Sequence, residues 1–432
     1  MRSLAFSVAL LCATASYGAG ASAETRAERP AEWTQFRLNP RHNPVLPGSL
    51  RVSWRVQTEG GFSSSPAIVG NAMYVGNNAG TMYALDVRDG KIYWTYHVRE
   101  PLMSNPLVWH GSVFVGEGDQ QYAFTNGGRR LFVGGTDNAL ISLDAQTGQL
   151  QWRLPLAGSG MPTGAIVDGV LVQHNGAGYI VGVDPAARTT RYIVNARSAA
   201  AMSAVLPLGD QDFVTAGGVD NSVQRRDSRT GALRWEARFP PGAWGMSDCP
   251  PATDGRFIFC NYNGAPPGVV ERWHSTAPGV EHAWAIDASN GRIRWSTALE
   301  LGRLPKTPRP SVGTNQAAIP LVTLGMVLFG STVAPYVHAL AAADGRVRWS
   351  LRVHGIVKSG LVEKDGVVYF CDRTGYVWAV DARSGTPIGW KNLHTRFNVG
   401  SPVIDGETLI VGSRTGALIA IPLDEIRSSH DQ

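Results

Sequence analysis

One unit recurs along this chain: a strand-like run ending in Asp, three residues, Gly, three residues, Trp. It occurs as Asp86/Gly90/Trp94, Asp144/Gly148/Trp152, Asp227/Gly231/Trp235 and Asp287/Gly291/Trp295. Ala341/Gly345/Trp349 lacks the Asp, and Asp381/Gly385/Trp390 is one residue longer. Asp184 and Tyr192 keep the spacing with Arg188 in the glycine slot. Self-similarity at a fixed period signals a repeat architecture. Each position has a physical reason. Asp bonds its own backbone two residues on and starts a turn. Gly takes a left-handed conformation that closes it. Trp buries a large ring while its indole N–H seeks an acceptor, which suits a seam between packed sheets.

The spacing counts the units. Successive Trp or Tyr positions from Trp54 to Trp390 lie 40 to 60 residues apart, the length of a four-stranded propeller blade with insertions in three units. Hairpin signals such as Asn77–Gly80 between apolar runs supply the other strands. After residue 401 the chain offers three strands and no Trp strand, whereas Trp54 sits in a strand with no Asp–Gly turn before it. The expected fold is all-β: a single eight-bladed β-propeller of four-stranded antiparallel blades, closed by the N-terminal Trp54 strand completing the last blade. Such closure leaves no free blade edge. The expected organisation is a signal peptide over 1–23, a lead-in over 24–48, the propeller over 49–423 and a tail over 424–432.

Composition agrees with this. Gly numbers 50 and Trp 13, charged residues are 17 %, and Cys numbers 4 in 432 residues, which excludes a small disulfide scaffold. The net charge of +5 is dilute and forms no basic stripe, so nucleic acid is not an expected partner. Arg2, the apolar run 4–15 and Ala21-Ser22-Ala23 read as a signal peptide cleaved before Glu24. The apolar run is too short to span a bilayer. Export makes the remaining thiols matter. Cys249 and Cys260 flank a turn, Ala252–Gly255, and are expected to form a disulfide, while Cys371 lies in a buried-strand pattern. No Cys or His cluster has metal spacing, so no metal site is expected.

Chemistry in such a ring is expected at the central funnel, lined by the segments that begin about thirty residues before each Trp. Small polar residues dominate these segments, as in Ser63-Ser64-Ser65-Pro66. Asn105, Asp248 and Lys358 depart from that pattern, and Asp248 and Lys358 are its two charges. An opposite-charge pair in a narrow funnel either binds a ligand, performs acid–base work or is structural. Asn315, Arg396 and Asn398 fall in or beside the same ring. The longest insertion, 242–280, carries Trp244 and the cysteine pair beside Asp248. A stapled, aromatic-rich loop over a rigid scaffold is a common way to build a pocket.

The tandem A-x-D-x-x-x-G-x-x-x-W units resemble the quinoprotein-like, or PQQ-repeat, propeller superfamily, and Trp33–Pro40 resembles its W-x-Q-F-R-x-N lead-in. The resemblance covers residues 33 to 421. It implies three functions, because one fold hosts unrelated activities. The first is an exported scaffold binding a protein or a small ligand at the funnel, similar to BamB-type assembly factors but without a lipid anchor. The second is a PQQ-dependent alcohol dehydrogenase with calcium, for which Lys358, Asn105 and Asp248 would serve cofactor, metal and base. Against it, the adjacent Cys–Cys pair and the haem C-x-x-C-H module of such enzymes are absent from the sequence. The third is a cofactor-free hydrolase resembling tetrathionate hydrolase, with Asp248 as general acid.

Overall fold

A computed structural model describes residues 29–119, 121, 123–124, 130–218, 221–239, 243–244, 248–264, 278–303 and 318–431. The signal-peptide region and Asn315 lie outside them. Seven antiparallel sheets follow in chain order, each running from an inner to an outer strand, with first-strand starts at 67, 107, 165, 206, 252, 321 and 362. The eighth blade joins the two ends of the chain. Val403–Asp405, Thr408–Gly412 and Ala417–Pro422 are completed by Trp54–Gln57, in the register Trp54↔Ala420 to Gln57↔Ala417. The expected ring closure is therefore observed.

The repeat residues work as read, and they also join neighbouring blades. In blade 2, Asp144 accepts from the backbone N–H groups of Gln146 and Thr147, and Gly148 N–H returns to the Asp144 carbonyl. The outer pair slips by one residue just before the turn, at Ser142/Leu143. Five of the repeat Trp residues then dock on the following blade. The indoles of Trp54, Trp94, Trp235, Trp295 and Trp349 donate at 3.0–3.1 Å to Val87, Ala145, Ala288, Ala342 and Ala382, each one residue after the repeat Asp (or Ala341) of the next blade. The ring lies against the next blade's turn glycine. At Gly345, with φ +71°, an added Cβ would meet Trp295 at 2.5 Å. Trp390 has no such turn ahead of it. Its indole takes the Asp431 carbonyl instead, and the helix Leu423–Arg427 buries Leu423 and Ile426 beneath it. The tail thus docks on the outer strand of blade 7 and packs it against blade 8.

A second regularity escaped the sequence reading. The residue seven after the repeat Asp reaches back to its carboxylate: Tyr93 to Asp86, Arg191 to Asp184, Arg234 to Asp227 and Arg294 to Asp287.

The degenerate unit shows what the repeat supplies. Arg188, exposed, adopts φ +60° in the slot that glycine fills elsewhere. A non-glycine residue pays about 1 kcal/mol or more for that conformation. Arg188→Gly is expected to raise stability by about 1 kcal/mol, read as a higher urea midpoint at unchanged m-value.

The lead-in is not a tether. Residues 33–46 cross the ring at one mouth and bond to its inner strands. Trp33 exchanges both backbone bonds with Val108, and Ile166, Thr253, Val322 and Ile404 donate to the carbonyls of Thr34, Pro40, Arg41 and Pro44. Val45–Leu46 then pairs in parallel with Val403–Asp405. The fully buried Arg37 guanidinium donates to the carbonyls of His42 (3.0 Å), Pro402 (3.4 Å) and Leu361 (2.5 Å), tying the plug to blades 7 and 8. Burial pushes Arg37 down to about 9 and His42 to about 3.

Candidate functional site

The plug closes one mouth of the ring; the opposite one, which no described segment crosses in the same way, is the open mouth of the described residues. In each antiparallel blade the inner strand starts at the open mouth, and the hairpin between the second and third strands returns there. The Asp–Gly turns lie at the closed mouth. Backbone bonds fix this arrangement: Asn78, Arg373 and Arg414, at three hairpin tips, donate to Gly61, Ile356 and Arg396, just before the inner strands of their own blades. The described strands Ser112–Glu117, Leu233–Arg238, Phe257–Gly264 and Ile293–Arg303, which lead into the inserted segments, end at the same open mouth.

The small polar residues of the inner ring have a structural use. They form a belt that runs from blade to blade: Gly360 N–H to Ser401 Oγ, Ser401 N–H to Ser65 Oγ, Ser65 N–H to Asn105 Oδ1, Asn105 N–H to Thr163 Oγ1, Thr163 N–H to the Ser203 carbonyl, and Ser203 Oγ to the Cys249 carbonyl. These bonds are 2.8–3.0 Å long, within the ordinary hydrogen-bond range. The belt satisfies backbone groups that would otherwise be orphaned where the inner strands start. Asn105, a candidate ligand residue, therefore has its amide oxygen committed to the belt.

Inside the belt is a cavity of about 10 Å³ lined by Phe36 of the plug, Ser63, Ser65, Met103, Asn105, Met161, Thr163, Met202, Asp248, Ile319 and Val399. That volume approaches what one water molecule needs. Asp248 is buried there, 8 % exposed. Lys358 is 4 % exposed and interacts with Asp248 through space. The structure thus brings the two ring charges together electrostatically, though no ion pair within 4 Å joins them among the described contacts. Burial pushes Lys358 down to about 8, helped by repulsion from Arg373 and Arg414 and opposed by Asp248. Arg396 is exposed and Asn398 half-buried on the approach to blade 8. Trp244 lies in a short strand paired with Asn263. Asn315 lies outside the described residues.

The Lys358 shift makes a stability prediction. Below about 8 the folded protein holds a buried cation at a cost. Between about 8 and the ordinary lysine value of 10.5 the unfolded chain keeps a proton that the folded chain has released, so wild-type stability rises with pH. Lys358→Met is expected to raise Tm at pH 7 by about 2–4 °C. The gain should shrink through that window and vanish above it, as thermal melts across pH would show.

No disulfide joins the described cysteines in this structure. Cys249 and Cys260 are fully buried and hydrogen-bonded to each other, which raises Cys260 well above the ordinary thiol value. Cys371 is buried in the inner part of blade 7. Their proximity, expected from the turn between them, is observed; a bond between them is not.

A quinone with its calcium does not fit the described residues. The central cavity has single-water size. Asn105 is committed to the belt, and no three His, Cys, Asp or Glu side chains gather to hold a metal among the described residues. No described helix is long and apolar enough to cross a membrane.

Known proteins share this architecture. Tetrathionate hydrolase of Acidithiobacillus ferrooxidans is 23 % identical over 92 % of this chain and 87 % of its own length. The outer membrane protein assembly factor BamB of Moranella endobia is 23 % identical over 84 % of this chain and 75 % of its own. The crystal structure of BamB from Moraxella catarrhalis superposes with a TM-score of 0.62 at 17 % identity, covering 86 % of this chain and 96 % of that one. A family model described as outer membrane protein assembly factor BamB matches residues 45–297 and 281–425. With the eight blades, their Trp docks and the closing strand already established, the chain belongs to that PQQ-repeat family.

Proposed function

We propose that this protein is an exported, non-catalytic binding scaffold that receives its partner or ligand at the open mouth of the funnel. The observation that carries this reading is the asymmetry of the ring. One mouth is sealed by the chain's own lead-in, while the described hairpin tips, Lys358, Arg396 and Asn398 belong to the other. A channel with room for about one water favours binding across the mouth over a buried cofactor chamber. The test is capture from a periplasmic or outer-membrane extract on immobilised full chain. A partner retained by wild type and by Arg383→Ser, at a closed-mouth turn, but released by Arg396→Glu supports the reading. Retention indifferent to Arg396→Glu, or clean beads, would contradict it.

Export carries a redox expectation. Residues 1–23 act as a removable signal peptide, and the adjacent Cys249 and Cys260 thiols close to a disulfide, surrendering their two hydrogens to the oxidant of the export compartment. Thiol counting in denaturant on protein purified from that compartment is expected to find Cys371 alone. Three reactive thiols would contradict the bridge.

A second reading is favoured by one observation: a tetrathionate hydrolase aligns over 92 % of this chain, and Asp248 lines the cavity in a place suited to a general acid. If the protein hydrolyses a sulfur oxyanion through Asp248, Asp248→Asn should abolish turnover. Unchanged turnover in that variant would remove Asp248 from the reaction.

A further inference from the structure

The outer strand of a blade is an edge, and half of its backbone groups face away from the sheet. One rim edge of this ring already holds an added segment. The tail runs parallel to Pro387–Asn392 of blade 7, with His430 opposite Trp390. Trp390 N–H donates to the Ser429 carbonyl at 2.8 Å, and Asp431 N–H donates to the Trp390 carbonyl at 3.3 Å. Asn392 N–H donates to the Asp431 carboxylate at 3.0 Å.

Blade 1 offers the same backbone geometry with nothing on it. In blade 7, Trp390 lies three residues before Leu393, whose N–H turns inward to the Gly375 carbonyl. In blade 1, Thr95 lies three residues before Val98, whose N–H turns inward to the Gly80 carbonyl. Pairing runs without a slip from Trp94 to His97. Backbone groups alternate along an antiparallel strand, so Thr95 and His97 face outward as Trp390 and Asn392 do. Among the described strands none pairs beyond Ile92–His97.

This edge also differs from the others in charge. Trp54–Gln57, Leu150–Pro155, Thr189–Asn195, Leu233–Arg238, Ile293–Arg303, Val347–Arg352 and Pro387–Asn392 each carry at least one Arg, Lys or Glu. Charge on an edge strand guards it against pairing. Ile92–His97, Ile-Tyr-Trp-Thr-Tyr-His, is the one outer strand of the eight without Asp, Glu, Lys or Arg. Its residues are strong strand formers, and Ile92 and Tyr93 are 44 % and 48 % exposed.

We infer that the outer edge of blade 1 is a self-association surface: a second copy of this chain adds its own Ile92–His97 in antiparallel register about a two-fold axis at Thr95. The strand is complementary to itself in that register. Thr95 meets Thr95, Tyr93 of one copy meets His97 of the other, and Trp94 meets Tyr96. Thr–Thr and aromatic pairs are favourable across strands, and no like charges are opposed within the strand. The flanking cations lie outside the paired span: Lys91 is beyond the slip at Ala84/Leu85, and Arg99 holds Asp137. Two of the meeting side chains are already held in place. The Tyr93 hydroxyl donates to Asp86 at 2.7 Å, and His97 Nδ1 is hydrogen-bonded to Thr81 Oγ1 at 3.1 Å. Such preorganisation lowers the cost of association. A two-fold contact that uses one patch on both subunits is the commonest form of oligomer. The surface lies on the outer rim, apart from whatever the open mouth binds.

Two strand edges make a contact at the small, transient end of the interface range, so sedimentation velocity of the full chain is expected to show monomer at about 1 µM and dimer at about 200 µM. Thr95→Lys sets two ammonium groups across the axis and should stay monomeric at both concentrations. Thr95 is exposed, so this variant should melt as wild type does. Ile193→Lys alters the equivalent position of blade 3, three residues before Ala196, and should dimerise like wild type. Thr95→Cys supplies a second readout. Directly opposed residues of a hydrogen-bonded pair lie about 5.5 Å apart at Cα, within disulfide reach. Mild oxidation at high concentration should therefore link two Thr95→Cys chains and leave Ile193→Cys chains single, the described native thiols being buried. A wild type that stays monomeric at both concentrations would overturn the surface. So would a dimer that survives Thr95→Lys, or one that Ile193→Lys abolishes equally.

Discussion

Arg37→Ala is expected to destabilise the protein by about 3 kcal/mol or more. The guanidinium is buried, 1 % exposed, and donates to three carbonyls from three parts of the chain. Removing it orphans those carbonyls in a place water does not reach, and each buried unsatisfied group costs about 1–3 kcal/mol. Relief of the buried charge offsets part of this loss. Three plug residues, Arg37, Leu38 and His42, also hold left-handed backbone conformations, with φ of 51°, 69° and 59°. Such conformations persist only where the surroundings over-determine them, and the Arg37 side chain is one of those constraints. Arg37→Lys should not rescue, because a single ammonium cannot reproduce the fork that reaches Leu361 and Pro402 together. Urea unfolding measures both variants, and a midpoint within error of wild type would show that the plug is not held this way.

Trp349→Ala is expected to cost about 3–5 kcal/mol. Its ring is 8 % exposed, its indole donates to Ala382 at 3.0 Å, and Gly385 of the next blade lies against it so closely that an added Cβ would meet the ring at 2.6 Å. The substitution opens a cavity at a blade seam and strands the Ala382 carbonyl. Trp152 supplies the internal comparison. The next blade offers Arg188 rather than glycine, and no indole bond from Trp152 to that turn is among the described contacts. Trp152→Ala should therefore cost clearly less than Trp349→Ala under the same conditions. Equal costs would mean that the Trp docks contribute through burial alone.

The architecture was legible because it is written many times. The Asp–Gly–Trp spacing identifies the outer strands, and the missing Trp strand after residue 401 identifies Trp54–Gln57 as the closing element. The plug was not legible, because residues 33–46 carry no period. Their bonds go to the backbone of distant blades, and backbone acceptors leave no trace in residue identity. The Arg or Tyr seven after the repeat Asp was in plain view, but the unit was read only as far as its Asp, Gly and Trp.

For the candidate site the outcome is mixed for physical reasons. Asp248 and Lys358 stood out as the charges of a small polar ring, and the structure buries both and sets them within electrostatic reach. Asn105 stood out on the same ground, yet its oxygen serves the Ser65 backbone, since an amide and a serine hydroxyl answer the same need in the belt. Arg373 and Arg414 escaped notice because each is an ordinary hairpin-tip residue, and only the folding of blade 7 and its packing against blade 8 bring the two tips near Lys358.

Hydrogen–deuterium exchange on the full chain tests the sealed, one-sided ring most directly. Peptides covering 33–46 should exchange as slowly as the inner strand Val403–Asp405 to which Val45–Leu46 is paired, and Arg37→Ala should speed exchange in 33–46 more than in the blades. A lead-in that exchanges within seconds while the blades stay protected would contradict the plug, and with it the assignment of function to a single open mouth.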